Sequence, residues 1–525
     1  MKSNKNYPYY NLKYLSNIKE LIERNSIECP LEVAFSFNSG NQLIKKTYSD
    51  LKEDVTILSN YFNHTYNNEH ICIIGENSYN WIILFLGIIL SGNICVIIDK
   101  DYNEEKIDSL LKRSDTKIIY YSDKYNGFIS NMKYETNKIE DIDKYMEIGK
   151  KYKNKYKTDD NRGCAIFFTS GTTGPDKPVL LSERNMAANI YQASSIFEPV
   201  GKKVVSFLPY HHALGLITGV LKPLYYKRET FINESLKYLP KDLEEQKPST
   251  IFVVPAFIEM FYKRIIKTVK KNGKEKDLEK GIKISNFLLK FGIDKRKKLF
   301  KDILDSFGGE LSYVICGGAY LDPKYIQFFR SIGIEILNGY GITECSPVIS
   351  VNRNHFKRDG SVGQLCRDVE VKIIDGEICV KGENVMLGYY NDPEGTNSVI
   401  IDGYYHTGDL GYLDKDGFLF ITGRKKNIII LANGENISPE VIEEDLLKDK
   451  EVEEVIVYEK NNDLVACIYP TEEYIGNQEY FDKLIHSYNL DKPKNRQIAY
   501  VELRDKEFVK NNNRKILRNK FLEGE

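Results

Sequence analysis

The stretch Phe168-Thr169-Ser170-Gly171-Thr172-Thr173-Gly174-Pro175-Asp176-Lys177-Pro178 follows directly on the apolar run Cys164-Ala165-Ile166-Phe167. A buried strand thus opens into a loop of hydroxyls, glycines and one lysine. Glycines let backbone amides approach an oxyanion, hydroxyls donate further hydrogen bonds, and Lys177 adds a point charge. The spacing predicts a loop that grips a triphosphate at the end of a strand. It is not the GxxxxGK[ST] of a Walker-type ATPase, which the sequence lacks.

Outward from this loop the chain repeats the same texture. Short β-branched runs alternate with helix-like stretches at HICIIG (70–75), NICVIID (93–99), TKIIYYS (116–122), KVVSFLP (203–209), STIFVVP (249–255), LSYVICGG (311–318) and IEILNGYG (334–341). Near-continuous apolar strands of this kind predict parallel sheets covered on both faces, an α/β architecture. The run WIILFLGIILSGNICVII (81–98) approaches the length of a membrane span, but Ser91-Gly92-Asn93 breaks it. A buried helix followed by a buried strand is expected there. Residues 144–157 are Lys-rich and read as a linker. Beyond about 425 the texture changes. ENISPEVIEEDLL (435–447) reads as a helix with Ser438 as N-cap and Pro439 at its first position. EEVIVYE (453–459), LVACIYP (464–470) and QIAYVEL (497–503) read as strands of a small α+β domain.

Composition excludes several classes. The 525 residues are 42% hydrophobic and 28% charged, which is ample for a core. The 74 basic and 75 acidic residues leave a net charge of −1, so no global excess exists to hold nucleic acid. Nine cysteines are scattered without a CxxC pair, so buried free thiols in a reducing, cytoplasmic setting are expected. Residues 263–301 hold 15 Lys/Arg against 4 Asp/Glu, a local charge of +11. A solvated helical face is the expected meaning, with peripheral contact to an anionic membrane surface, or contact with the phosphates of a large cofactor, as the other reading.

Four further segments carry chemistry. In Asn338-Gly339-Tyr340-Gly341-Ile342-Thr343-Glu344 a strand closes on a glycine turn. Tyr340 offers a flat ring to a purine, Thr343 a hydroxyl to a phosphate oxygen, and Glu344 a hard oxygen suited to Mg²⁺. Gly317-Gly318-Ala319 let a flat ligand lie against the backbone. HTGDLG (406–411) and ITGRKK (421–426) contain Asp409 and Arg424, and a Lys-rich run, Lys510 to Arg518, contains Lys515.

TSGTTG followed by Lys177, then YGITE, TGD and GRKK in this order, resembles the adenylate-forming superfamily, which includes acyl-CoA synthetases, luciferases and the adenylation domains of peptide synthetases. The resemblance extends from about Tyr48 to Phe521. It implies a large N-terminal domain (1–424) with a distorted β-barrel subdomain, a hinge at 425–426 pivoting near Lys426, and a small mobile C-terminal domain (427–525). It implies that Thr169, Ser170, Gly171, Thr172, Thr173, Gly174, Gly318, Ala319, Gly339, Tyr340, Gly341 and Thr343 hold ATP and AMP, and that Asp409 and Arg424 hold the ribose. Glu344 and Thr172 are the implied Mg²⁺ ligands. Lys515 occupies the position of the family's catalytic lysine, beside Lys177, Thr343 and Glu344. Gly434 and Glu435 fall in the loop that lines the thiol tunnel. This sequence departs from the family's pattern at Val509, Arg514 and Pro178, where Pro, Gly and Gly are usual.

LPYHHALGL (208–216), IGENSYNW (74–81), the insertion from Lys263 to Phe307 and GYGITECSPVISVN (339–352) resemble the long-chain acyl-CoA synthetase branch. His212, with Gly317 and Gly318, is the implied acyl-pocket residue. The segment Leu208 to Gly215 holds no carboxylate to receive a substrate ammonium, which disfavours an amino acid. The resemblance therefore implies ATP-dependent activation of a fatty acid and transfer to coenzyme A. Loading of an acyl carrier protein is the nearest alternative, and a degenerate nucleotide-binding regulator is the alternative of another class.

Overall fold

A computed structural model describes residues 8–40, 42–169, 176–430, 436–461, 463–490, 492–493, 496–510 and 516–524. Ser170, Gly171, Thr172, Thr173, Gly174, Gly434, Glu435, Arg514 and Lys515 therefore lie outside the described residues. The chain forms two compact units. One comprises the described parts of Met1–Gly171, Pro175–Glu370 and Lys381–Gly403; the other comprises those of Val371–Val380 and Tyr404–Glu525.

The β-branched runs become the strands of two sheets in the first unit. Glu135–Lys138, Ile118–Tyr121, His70–Ile74, Ile94–Ile97 and Gly163–Thr169 lie parallel in a seven-stranded sheet, which Lys177–Ser182 and Gly388–Tyr389 extend antiparallel. In the nine-stranded sheet, Val33–Ser39, Glu229–Ile232, Lys203–Ser206, Thr250–Val253, Tyr313–Cys316 and Glu335–Gly341 are parallel neighbours in that order. All eight runs singled out in the sequence are strands, four in each sheet.

The helix Tyr79–Ile89 buries ten of its eleven residues and starts at Ser78, whose hydroxyl accepts from the Trp81 amide at 3.1 Å. A helix apolar on every side has no face to give to water, so it lies inside. Each large apolar side chain so buried contributes roughly 1.5–3 kcal/mol. With Ile94–Ile97 following as a fully buried strand, the 81–98 run has the expected helix-then-strand form. Among the described residues no helix is long and apolar enough to cross a membrane. All nine cysteines are buried and free.

The expected linker at 144–157 is in part a helix, Ile142–Gly149. Ile142, Tyr145 and Gly149 are its buried residues, spaced three and four apart, while its one lysine, Lys144, is exposed. Gly149 approaches so closely that a Cβ there would sit 2.1 Å from the Ile57 carbonyl oxygen. Charge density hides a narrow apolar stripe.

In the second unit, Glu377–Lys381, Tyr404–Leu413 and Leu419–Arg424 pair antiparallel. Val452–Lys460, Asp463–Pro470 and Tyr500–Leu503 form a three-stranded sheet covered by helices Pro439–Leu446 and Gln478–Asn489. Ser438 stands at the N-cap and Pro439 at the first position, as the sequence predicts.

Candidate active site

The first unit builds its site where parallel strands end, the place at which α/β sheets present loops to ligands. Thr169 closes its strand and pairs with Lys177 across a hairpin, the register running through Phe168 opposite Pro178. Pro178 has no N–H, so its place near the end of the hairpin ladder is one where a missing donor is tolerated. The Lys177 ammonium lies 4.5 Å from the centre of the Tyr389 ring. The Tyr389 hydroxyl in turn donates to Glu344 Oε1 at 3.2 Å. Cation, ring and carboxylate thus form one connected row, with Tyr389 and Glu344 both buried. Asp176, also buried, is ion-paired with Lys106.

Glu344 and Thr343 sit in a single 3₁₀ turn, Thr343–Cys345, directly after the strand Glu335–Gly341. Two buried asparagines hold this loop. Asn189 donates to the carbonyls of Cys345 (3.2 Å) and Val348 (2.7 Å) and accepts from the Val348 amide (3.2 Å). Asn384 donates to Cys345 O at 3.0 Å. The Met386 amide donates to Glu344 O at 2.8 Å. Gly341 is required by close approach, since a Cβ would meet the Pro347 carbonyl oxygen at 2.3 Å. Tyr340 is half-buried, opposite Ser350 in the ladder, with Gly339 beside it opposite Val351. On the next strand over, Gly317 stands half-buried and Gly318 and Ala319 exposed. A Cβ on Gly317 would lie 3.5 Å from the Gly339 carbonyl oxygen. Gly317, Gly339, Tyr340, Thr343, Glu344 and Lys177 are thereby gathered at neighbouring strand ends.

The histidine pair is held by a turn. Asn77 donates to Leu208 O (2.8 Å) and accepts from the Tyr210 amide (3.1 Å). The turn feeds a π-helix, Leu214–Leu221, whose wide bore often marks functional sites. The His211 and His212 rings are 4.4 Å apart. Asp99, at the end of the strand Ile94–Ile97, reaches His211 Nε2 at 3.3 Å. Burial and the neighbouring His212 push the His211 imidazole down to about 3 against the pull of Asp99, so it is neutral at neutral pH. Sequence reading finds no carboxylate in the His-His segment itself. The structure brings Asp99 to it from more than a hundred residues away. Its only sequence signal is a position just past an apolar strand.

In the second unit Asp409 and Arg424 face each other across the ladder, Arg424 Nε lying 2.6 Å from Asp409 Oδ1. Asp409 is buried and Arg424 half-buried. Beside them Glu377 accepts from the Gly408 amide (2.9 Å) and the Lys425 ammonium (2.8 Å) and lies 3.2 Å from His406 Nδ1. Burial pushes the Glu377 carboxyl up, but Lys425, Gly408 and His406 outweigh it and hold it below its ordinary value. This buried anion ties the strand of Asp409 to the start of the 3₁₀ turn Lys425–Asn427, on which Lys426 is exposed. Sequence reading misses Tyr389, Asn189, Asn384, Asp99 and Glu377. Each acts through a partner distant in the chain.

A model of the AMP-binding enzyme family matches residues 23–390. The chain belongs to the AMP-binding enzyme family. Family members with similar sequences include mouse long-chain-fatty-acid–CoA ligase 5, 35% identical over 319 residues, 56% of this chain and 46% of that one. The peroxisomal long chain acyl-CoA synthetase 6 of Arabidopsis thaliana is 32% identical over 338 residues, 58% of this chain and 47% of the relative. Long-chain-fatty-acid–CoA ligase FadD15 of Mycobacterium bovis is 25% identical over 425 residues, 74% and 70% of the two chains. The chain spans about half the length of the mouse and Arabidopsis relatives. Among solved structures, ATP-bound MatB of Rhodopseudomonas palustris superposes with a TM-score of 0.79 at 19% identity, covering 97% of this chain and 98% of that one. The o-succinylbenzoate CoA synthetase of Bacillus subtilis, with its acyl-adenylate, gives 0.74 at 19% identity, covering 96% and 97%. At these identities the likeness is one of fold, that of an adenylate-forming α/β protein with a separate C-terminal domain.

Proposed function

We propose that this family member joins a fatty acid to coenzyme A in two steps. The acid carboxylate attacks the α-phosphorus of ATP, giving acyl-AMP and pyrophosphate. The thiol of coenzyme A then attacks the acyl carbonyl and AMP leaves. The observation that carries the reading is the row Lys177–Tyr389–Glu344 at the strand ends. It supplies a cation and an oriented carboxylate beside a glycine-lined shelf, in a chain whose relatives are named for this reaction.

In this reading no side chain becomes covalently attached, and catalysis is positioning plus charge stabilisation. Tyr340 stacks on the adenine over Gly318, Ala319, Gly339 and Gly341. Asp409 and Arg424 take the ribose hydroxyls. Thr169, Thr343 and Lys177 hold phosphate oxygens, together with the loop Ser170 to Gly174. Glu344 fits Mg²⁺ by the chemistry of its donor set: a buried hard carboxylate, steered by the Tyr389 hydroxyl on one oxygen. Thr172 is the second proposed ligand. When bound, Mg²⁺ neutralises charge on the phosphates. His212, backed by the neutral His211, borders the acid-binding pocket with Gly317 and Gly318. Lys515 bridges the carboxylate and α-phosphate, then departs when the C-terminal part (427–525) turns about Lys426 and brings Gly434 and Glu435 to the thiol path. The protein works in the cytoplasm on small molecules, with ATP, Mg²⁺ and coenzyme A.

Pyrophosphate exchange into ATP without any thiol tests the first step. We expect exchange with medium- or long-chain fatty acids and none with aromatic or amino acids. Exchange only with an amino acid overturns the choice of substrate. Its absence with every acid, in protein that still binds ATP, overturns the ligase reading in favour of a nucleotide-binding regulator. Thioester formed with an acyl carrier protein but not with coenzyme A overturns the choice of acceptor.

A further inference from the structure

The strands Glu377–Lys381 and Tyr404–Leu413 of the second unit bring a thiol, an imidazole and a carboxylate together. Cys379 lies opposite His406 in their antiparallel ladder. Between Cys379 and Glu377 the register shifts, Glu377 pairing with Leu410, so the partner strand takes a longer path through Gly408 at φ +71°. That irregularity turns the Gly408 amide onto Glu377 Oε1 at 2.9 Å and leaves Oε2 beside His406 Nδ1 at 3.2 Å. Cys379 Sγ lies 3.4 Å from the same nitrogen, and its thiol donates to the Glu377 carbonyl oxygen at 3.7 Å. Sulfur, nitrogen and carboxylate oxygen all lie within 4.8 Å of one another. Glu377 and Cys379 are buried and His406 is half-buried. The Lys425 ammonium, on an exposed side chain, also reaches Oε2, at 2.8 Å.

Two simpler readings fall short of this geometry. A nucleophile–base–acid relay needs thiol and carboxylate on different imidazole nitrogens, and here both meet Nδ1. An ion pair alone accounts for Glu377, Lys425 and His406 but not for a sulfur on that same nitrogen. Tetrahedral coordination accounts for all three ligands. Zinc bond lengths of about 2.0–2.3 Å set edges of about 3.5 Å from sulfur to nitrogen and about 3.3 Å from nitrogen to oxygen. The 3.4 and 3.2 Å separations match both edges. One thiolate, one imidazole and one carboxylate suit a borderline ion of the zinc class, whereas Mg²⁺ and Ca²⁺ take oxygen ligands. The Gly408 amide on Oε1 is the outer hydrogen bond that orients a ligating carboxylate. Two anionic ligands balance a divalent charge, and three protein ligands leave a fourth position for water.

We propose that Glu377 Oε2, Cys379 Sγ and His406 Nδ1 form a binding site for one divalent ion of the zinc class. Binding sends the Cys379 thiol proton to solvent. The ion takes the place of the Lys425 ammonium on Oε2, and Lys425 leaves with its charge. The site goes beyond the ligase reading and does not depend on it. Titration of the full chain with Co²⁺, with a phosphine reductant keeping the thiols free, tests it. A sulfur-to-cobalt charge-transfer band in the near ultraviolet is expected. It should saturate at one ion per chain, persist in excess Mg²⁺ and vanish on addition of Zn²⁺. Cys379→Ser should remove the band. His406→Gln should weaken Co²⁺ binding roughly tenfold or more. Lys425→Met removes the competing cation, keeps the apolar stem and should tighten binding. His406 and Lys425 are less buried than Cys379, so these two variants decide the matter if Cys379→Ser does not fold. Absence of the band, its persistence in Cys379→Ser, its loss to an equal concentration of Mg²⁺, or an affinity indifferent to both His406→Gln and Lys425→Met overturns the proposal. Pyrophosphate exchange on the same samples separates the two readings, since loss of exchange with an intact band bears on the ligase reading alone.

Discussion

Tyr389 lies between the two charges of the candidate site, its ring under Lys177 and its hydroxyl on Glu344. A hydrogen bond to a charged group is worth about 1.5–3 kcal/mol. Tyr389→Phe keeps the ring and loses only the hydroxyl, so exchange kcat/KM for ATP should fall roughly tenfold, each 1.4 kcal/mol being a factor of ten. Tyr389→Leu also removes the ring face and should cost more; equal activity in the two variants would mean that the hydroxyl alone matters. His211 supplies a pH test. Its folded value of about 3 lies below the ordinary 6.5, so between these values the unfolded chain binds more protons and stability falls as pH drops. Glu183, pushed up by burial to about 7, works in the opposite sense between its ordinary 4.5 and 7. The His211 contribution is therefore read as a difference. Urea midpoints from pH 7.5 to 4.5 should fall more steeply in the native protein than in His211→Gln, and parallel curves would show that His211 is not held neutral.

The loop after the strand Glu335–Gly341 is held less by its own residues than by a helix and a chain segment remote from it. Asn189, on the helix Glu183–Ser194, satisfies two carbonyls and one amide of this loop while being almost fully buried. Asn189→Ala strands those groups and should cost roughly 2 kcal/mol or more, since a buried unsatisfied polar group costs about 1–3 kcal/mol. Thr343 and Glu344 ride on the same loop, so the KM for ATP in exchange should rise along with the fall in the urea midpoint. A lower midpoint with unchanged KM would mean that the loop keeps its shape without the clamp. At this scale the sequence is most legible. Eight apolar runs are eight strands, and the helix at Pro439 begins where its capping residues stand. Residues 142–149 escape such a reading, because three buried positions in eight are a weak signal among lysines.

For the molecule as a whole, the prediction concerns the division of labour between the two half-reactions. Lys515→Ala should abolish pyrophosphate exchange and spare thioester formation from supplied acyl-AMP, because a cation at the α-phosphate is needed only while negative charge gathers there. Equal loss of both activities would remove Lys515 from that role. Separate assays of exchange and of thioester release from acyl-AMP make the comparison.

By itself the sequence determined the α/β class, the strands and the family, and it nominated the groups proposed to touch a nucleotide. These are local properties: periodicity, a glycine where backbone must approach, a charge at a strand end. Tertiary structure alone decided that the strands of the first unit divide into two sheets, with Val33–Ser39 joining Glu229–Ile232 nearly two hundred residues on. It alone brought Asp99 to His211, Tyr389 to Lys177 and Glu344, and Asn189 to the loop of Thr343. Such partners carry no motif. A buried polar group must be satisfied by whatever the fold places beside it, and that neighbour is set by the packing of distant segments.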